Sequence, residues 1–284
     1  MKSIAIAGNG PMARFETEIC PRVLGLPADY ANVVETRIRE IAKAVGPRTA
    51  NGGCEPNLTV IVAEDGAAAL SSLRKNRPLL FGAMTNSEHL RLRRSRGPVW
   101  NWYSVDPRRS DGGPVEHMTM ISFGEAPPQP VSPEAYIASN VSMSRLTVPV
   151  RLDITLSFII LEKRALDGLT LAQVADFSAM LGLSMIDYDR AKAISRPSIL
   201  RIFSAGRADT ATTFDLAFLK GLYAGEPGIS FDRRAAQIAA GMTGAAVYRE
   251  FQGLQDPGAP PGLFYESSGR QAPSRSGRQR EMVR

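Results

Sequence analysis

Apolar residues recur near helical spacing from Asp29 to Val45, where Val33, Ile38, Ile41 and Val45 are separated by arginine and glutamate. Gly46-Pro47 closes that helix. The β-branched run Leu58–Ala63 predicts a buried strand, and Ala67–Asn76 a helix that stops at Pro78. "VWNWYSV" reads as a strand, followed by a turn in "DPRRSDGGP". A further strand is expected within 115–124, before the proline-rich connection "EAPPQPVSPE". Arg151–Glu162 alternates first and then runs continuously apolar, the clearest strand pattern in the chain. Helices are expected over Thr170–Leu183, over Thr212–Gly225, and in "DRRAAQIAAGMTGAAVYREF", where Ile238, Met242 and Val247 make a loose stripe. Strands and helices intermix without an internal repeat. The fold class is therefore α/β or α+β, one domain with a mixed sheet around a central buried helix.

The chain has 284 residues, of which 44% are hydrophobic, enough for a substantial core. Residues 1–18 are expected to be a poorly ordered leader, 19–252 the globular domain, and 253–284 a disordered basic tail rich in Pro, Gly, Ser and Arg. No stretch approaches the ~20 apolar residues of a transmembrane segment. The strongest run, "SFIILEKR", is cut by Glu162 and Lys163.

The net charge is +6, part of it in the run Arg91–Arg96 that precedes "VWNWYS". Bases beside aromatics could serve a single-stranded nucleic acid. The reading favoured here is a solvated arginine face followed by a strand whose Trp100 or Trp102 enters the core. Nucleic acid is thus not expected as a partner, because no zinc-knuckle spacing or aromatic RNA-binding signature accompanies the bases.

The two cysteines, Cys20 and Cys54, lie beside Pro and Gly turns at the ends of one helix–loop unit. They are expected to form a disulfide in an exported protein, periplasmic or secreted. The N-terminus argues the other way, since the apolar part of "MKSIAIAGNGPMA" falls short of the ~7–15 residues of a signal core: either the protein is cytoplasmic, or the chain begins downstream of its true start. The same segment carries Gly8-x-Gly10-x-x-Ala13, which matches a dinucleotide fingerprint on paper. Its context fails: Pro11 sits early in the turn, and Cys20-Pro21 and Pro27 interrupt the crossover helix that the fingerprint needs.

The helix from Thr170 opens with a capping box, Thr170 and Gln173, and is then apolar nearly all round. After it come "PSIL", a polar loop, "TTFD" and "LKGLY". In this order and spacing, "ADFSAMLGL" (Ala175–Leu183) and the later pieces resemble the zincin metallopeptidases. There a buried helix carries His-Glu-x-x-His and then x-x-Gly-Leu. The chain is also similar to a family of exported bacterial proteins of unknown function, themselves zincin-like, in which this helix has lost its histidines. The resemblance covers roughly residues 150–225. It implies a zincin-like fold whose vestigial cleft is lined by Gln173, Ala175, Asp176 and Ala179.

The chemistry departs from the zincin pattern. Ala175 and Ala179 stand at the histidine positions and Asp176 at the general-base glutamate. Catalytic zinc needs three protein ligands and an open position for water. The chain has only His89 and His117, neither in this half. No metal and no cofactor is therefore expected. Asp176 is the one catalytic candidate, a carboxylate able to act as acid or base if burial raises its pKa. The plainer reading is a structural carboxylate bonded to a loop amide or to an arginine such as Arg151. Asp153, Asp187 and Asp189 could form an acidic set, but no calcium-loop spacing is present. Ser142, Ser144 and Ser157 lack a nucleophile elbow, and nothing links them to His117.

The expectation is thus a non-catalytic zincin-like exported protein that binds a protein or small-molecule ligand through a protease-like cleft. The alternatives are a metal-independent hydrolase or other enzyme using Asp176, and a dinucleotide-binding protein built on Gly8 and Gly10.

Overall fold

The computed structural model describes residues 11–118, 135–137 and 150–241. The expected tail 253–284, Met242, Val247, Ser142 and Ser144 lie outside the described residues, as do Gly8 and Gly10.

In chain order the elements are β1 (Pro21–Leu24), α1 (Ala28–Val45), β2 (Leu58–Ala63), α2 (Gly66–Asn76), α3 (Asn86–Arg94), β3 (Val99–Arg109), β4 (Glu116–Met118), β5 (Ala135–Ile137), β6 (Val150–Glu162), α4 (Leu171–Gly182), α5 (Tyr188–Ala191), α6 (Thr213–Tyr223) and α7 (Phe231–Gly241). Single 3₁₀ turns fall at Pro78–Phe81, Lys163–Leu166 and Ile199–Arg201. The fold is α+β. A four-stranded mixed sheet has the order β1-β2-β6-β3, with β1, β2 and β6 parallel and β3 antiparallel to β6. β4 and β5 form a separate antiparallel pair. No helix among the described residues is long and apolar enough to cross a membrane.

The period-two pattern of β6 divides the core. Ile159 and Leu161 face a large apolar layer that contains α1, α4 and α6. Phe158 and Ile160 face a smaller layer with Leu70, Phe81, Leu92, Trp100 and Trp102. Sequence reading placed Trp100 or Trp102 in the core; both enter it, because two residues apart on a strand they share a face. Trp102 stacks between Phe81 and Phe158 and donates its indole N–H to the Leu80 carbonyl.

Three expectations change. Residues 11–18 are not a loose leader: Met12, Ala13 and Phe15 are buried, and Arg14 exchanges backbone hydrogen bonds with Leu152 and Ile154 of β6. The Arg14 guanidinium also donates to the Leu222 and Gly225 carbonyls, which ties this segment to the end of α6. No helix follows Ala13 within residues 11–20, so the crossover that a dinucleotide fingerprint requires is missing from this stretch. In α1 the residue that enters the core is Val34, while Val33 is half exposed. Lastly, β3 does not turn at Asp106 but runs on to Arg109, pairing Asp106 with Asp153 and Arg108 with Arg151 beyond a bulge at Ser104/Val105.

Cys20 and Cys54 form a disulfide with Cα atoms 6.1 Å apart. The bond ties together the starts of the neighbouring strands β1 and β2, with α1 as the crossover between them. Asn57 reinforces the joint: its side chain accepts from the Cys20 amide and donates to the Glu18 carbonyl. On the outer side of β1, Glu35 of α1 accepts from the Val23 amide and Arg39 donates to the Pro21 carbonyl, while the two side chains pair at 3.5 Å.

Candidate functional site

The helix α4 begins as its capping box predicts. Thr170 accepts from the Gln173 amide at 3.1 Å, and the Gln173 carboxamide accepts from the Thr170 amide at 3.0 Å. From Gln173 to Gly182 every residue is buried. Helix α1, strands β2 and β6, and the turn Ile199–Arg201 surround it. Close approach to the sheet is set by Gly182, where a Cβ would stand 2.7 Å from Leu58 Cδ1.

Asp176 sits at the middle of this packing and is fully enclosed. Arg37 of α1 grips it with both prongs, Nε to Oδ1 at 2.8 Å and Nη2 to Oδ2 at 3.3 Å. The Ala211 amide donates to Oδ2 at 2.6 Å. Burial pushes the carboxyl above the ordinary carboxylate range, and Arg37 and the amide pull against that. One turn earlier, Gln173 donates to the Ala208 carbonyl at 2.9 Å. The two polar side chains of this face therefore fasten the 208–211 segment onto α4. Arg151, the partner suggested by sequence, pairs instead with Asp153 on its own strand.

A second buried carboxylate completes the assembly. Asp215 accepts from the Ser198 hydroxyl at 2.5 Å, the Ile199 amide at 2.8 Å, and both the amide and hydroxyl of Thr212 at 2.8 Å. It thus caps α6 and holds the Pro197–Leu200 turn in one set of bonds. Burial raises its carboxyl too, against those four donors. At the far end of α4, Tyr103 donates to the Leu181 carbonyl and Tyr223 to the Leu183 carbonyl. Asn101 donates to Tyr103 and to the Ile186 carbonyl. These bonds satisfy acceptors that the helix end leaves open.

The pieces singled out in sequence, "ADFSAMLGL", "PSIL", "TTFD" and "LKGLY", are therefore joined by named hydrogen bonds. No family model, curated protein or solved structure matches this chain. The zincin-like reading rests on the residues alone.

The four residues assigned to a vestigial cleft are all enclosed: Gln173 is 3% exposed, and Ala175, Asp176 and Ala179 are 0%. What stands beside them is protein, in particular Arg37 and the 208–211 segment. Among the described residues, no group of three or more His, Cys, Asp or Glu could hold a metal ion. The acidic trio does not act as a unit. Asp187 caps α5 and lies 3.6 Å from Arg190, Asp189 pairs with Lys192, and Asp153 with Arg151. Ser157 is buried in β6, His89 lies on α3 across the sheet, and His117 in β4.

Arg37 is the residue that sequence reading missed. Its signal was an arginine on the apolar stripe of α1, at helical spacing between Val34 and Ile41.

Proposed function

We propose that this chain is an exported, non-catalytic, zincin-like protein in which the helix of a former active site has become an internal strut, and which meets its partner on the outer surface. The observation that carries this reading is the enclosure of Asp176, with a protein donor on each of its carboxylate oxygens. A general acid or base must reach a substrate proton, directly or through one water. Here both carboxylate oxygens are committed to Arg37 and Ala211, and the neighbouring Ala175 and Ala179 leave no opening. The disulfide supports export, since such bonds persist in oxidising compartments.

The test is elemental analysis of protein purified without chelators, together with hydrolysis of unfolded casein. The expected outcome is sub-stoichiometric zinc, no cleavage, and a melting temperature indifferent to EDTA. One zinc per chain, or cleavage that Asp176→Asn abolishes while the fold is retained, would refute the proposal.

A further inference from the structure

We propose that the outer face of the α2–α3 layer docks the protein on an anionic phospholipid surface. Residues 74–96 contain seven Lys or Arg and one acidic residue, Glu88. Glu88 is occupied in the capping box of α3, accepting from the Thr85 amide and hydroxyl. Two of the bases are turned inward: Arg74 lies over the Phe81 ring, and Arg91 reaches the Asn101 carbonyl and Asp187. The other five, Lys75, Arg77, Arg93, Arg94 and Arg96, are exposed and have no ion-pair partner among the described residues.

The same face exposes aliphatic side chains. Leu79, at the turn between α2 and α3, is 90% exposed, the most exposed large hydrophobic among the described residues. Leu90 is 44% exposed and shares a helix face with Arg93 and Arg94, three and four residues on. This layer covers the smaller apolar core, with Leu70, Phe81 and Leu92 pointing to the sheet, so the bases and the two leucines remain on the solvent side. Bases around a protruding leucine match an interface of phosphate headgroups above acyl chains.

The alternative anionic partner is a single-stranded nucleic acid, which binds by stacking bases on aromatic rings. Both tryptophans next to the arginine run are inside the protein, and the exposed apolar groups here are leucines. That decides for lipid.

The experiment is co-sedimentation of the full chain with phosphatidylcholine vesicles, with and without phosphatidylglycerol, over a range of salt. Binding is expected only to the anionic vesicles and should weaken with salt as surface charges are screened. Joint substitution Arg93→Gln, Arg94→Gln and Arg96→Gln should lower the partition coefficient about a hundredfold, near fivefold for each base. Leu79→Ser should lower it several-fold without changing its salt dependence, and circular dichroism melts should show both variants folded as the parent. Absence of binding to anionic vesicles overturns the proposal. So does binding that both variants retain in full, which would place the contact elsewhere in the chain. A single-stranded oligonucleotide bound more tightly than the vesicles at the same salt overturns it as well.

Discussion

At the scale of single residues, the chain spends its buried polarity on joining segments. The Arg37–Asp176 pair spans 139 positions and is enclosed on both sides. Removing one partner of such a pair leaves a buried charge uncompensated, at a cost of about 3–5 kcal/mol. Asp176→Ala should therefore lose about that much in urea unfolding. The double variant Arg37→Met, Asp176→Leu should recover much of the loss, because a buried ion pair is often no better than packed apolar groups. Losses of Arg37→Met and Asp176→Leu measured singly that simply add in the double variant would show that the two residues do not act together.

Tyr103, Tyr188 and Tyr223 give a second residue-scale expectation. Burial pushes each phenol well above its ordinary value near 10. A raised folded pKa means the unfolded chain ionises first. The contribution is thus fully present below about pH 10 and is lost as pH rises further. Unfolding free energy should fall steeply above about pH 10, and Tyr103→Phe should make that fall shallower. A flat profile there would contradict the burial of these hydroxyls.

At the scale of elements, legibility followed the strength of the local pattern. The strands β2 and β6 and the helices α1, α4 and α6 carry long, regular signals and lie where the sequence places them. β1 was not legible: it is four residues long and starts at a proline. α3 was masked by its charge, since "RLRRSR" reads as a solvated run and only Leu92 enters the core. The extension of β3 through Asp106–Arg109 depends on pairing with β6, a partner more than forty residues away in sequence. Around α4, the capping box and the apolar wheel were visible, whereas Arg37 and the 208–211 segment reach it only through tertiary packing. The disulfide was legible because its cysteines flank a single crossover unit. Cross-linking a loop of this size contributes about 3–4 kcal/mol in the chain-entropy model. Cys20→Ser with Cys54→Ser should reduce stability by that amount in denaturant titrations, and reductant should do the same to the parent. No change on reduction would mean that β1 and β2 stay paired without help.

At the scale of the whole molecule, the sheet separates two apolar layers, yet they share the same strands. Both tryptophans of the chain lie in the smaller layer, while α1, α4 and α6 report on the larger. Because β2 and β6 serve both layers, unfolding should be one cooperative event. Tryptophan fluorescence and far-ultraviolet circular dichroism should give coincident transitions in urea. Separate midpoints would mean that the α2–α3 layer comes away from the sheet on its own.

The outer side of β1 determines how this molecule behaves beside its own copies. An end strand usually offers a row of free amides and carbonyls, a template on which a second chain can zip. Here the outward Pro21 carbonyl and Val23 amide are already engaged by Arg39 and Glu35, two charges one helical turn apart. An incoming strand would have to strip off both side chains and leave them desolvated before gaining its first bond. The pair is a built-in guard against runaway self-assembly, carried at no cost in strand length.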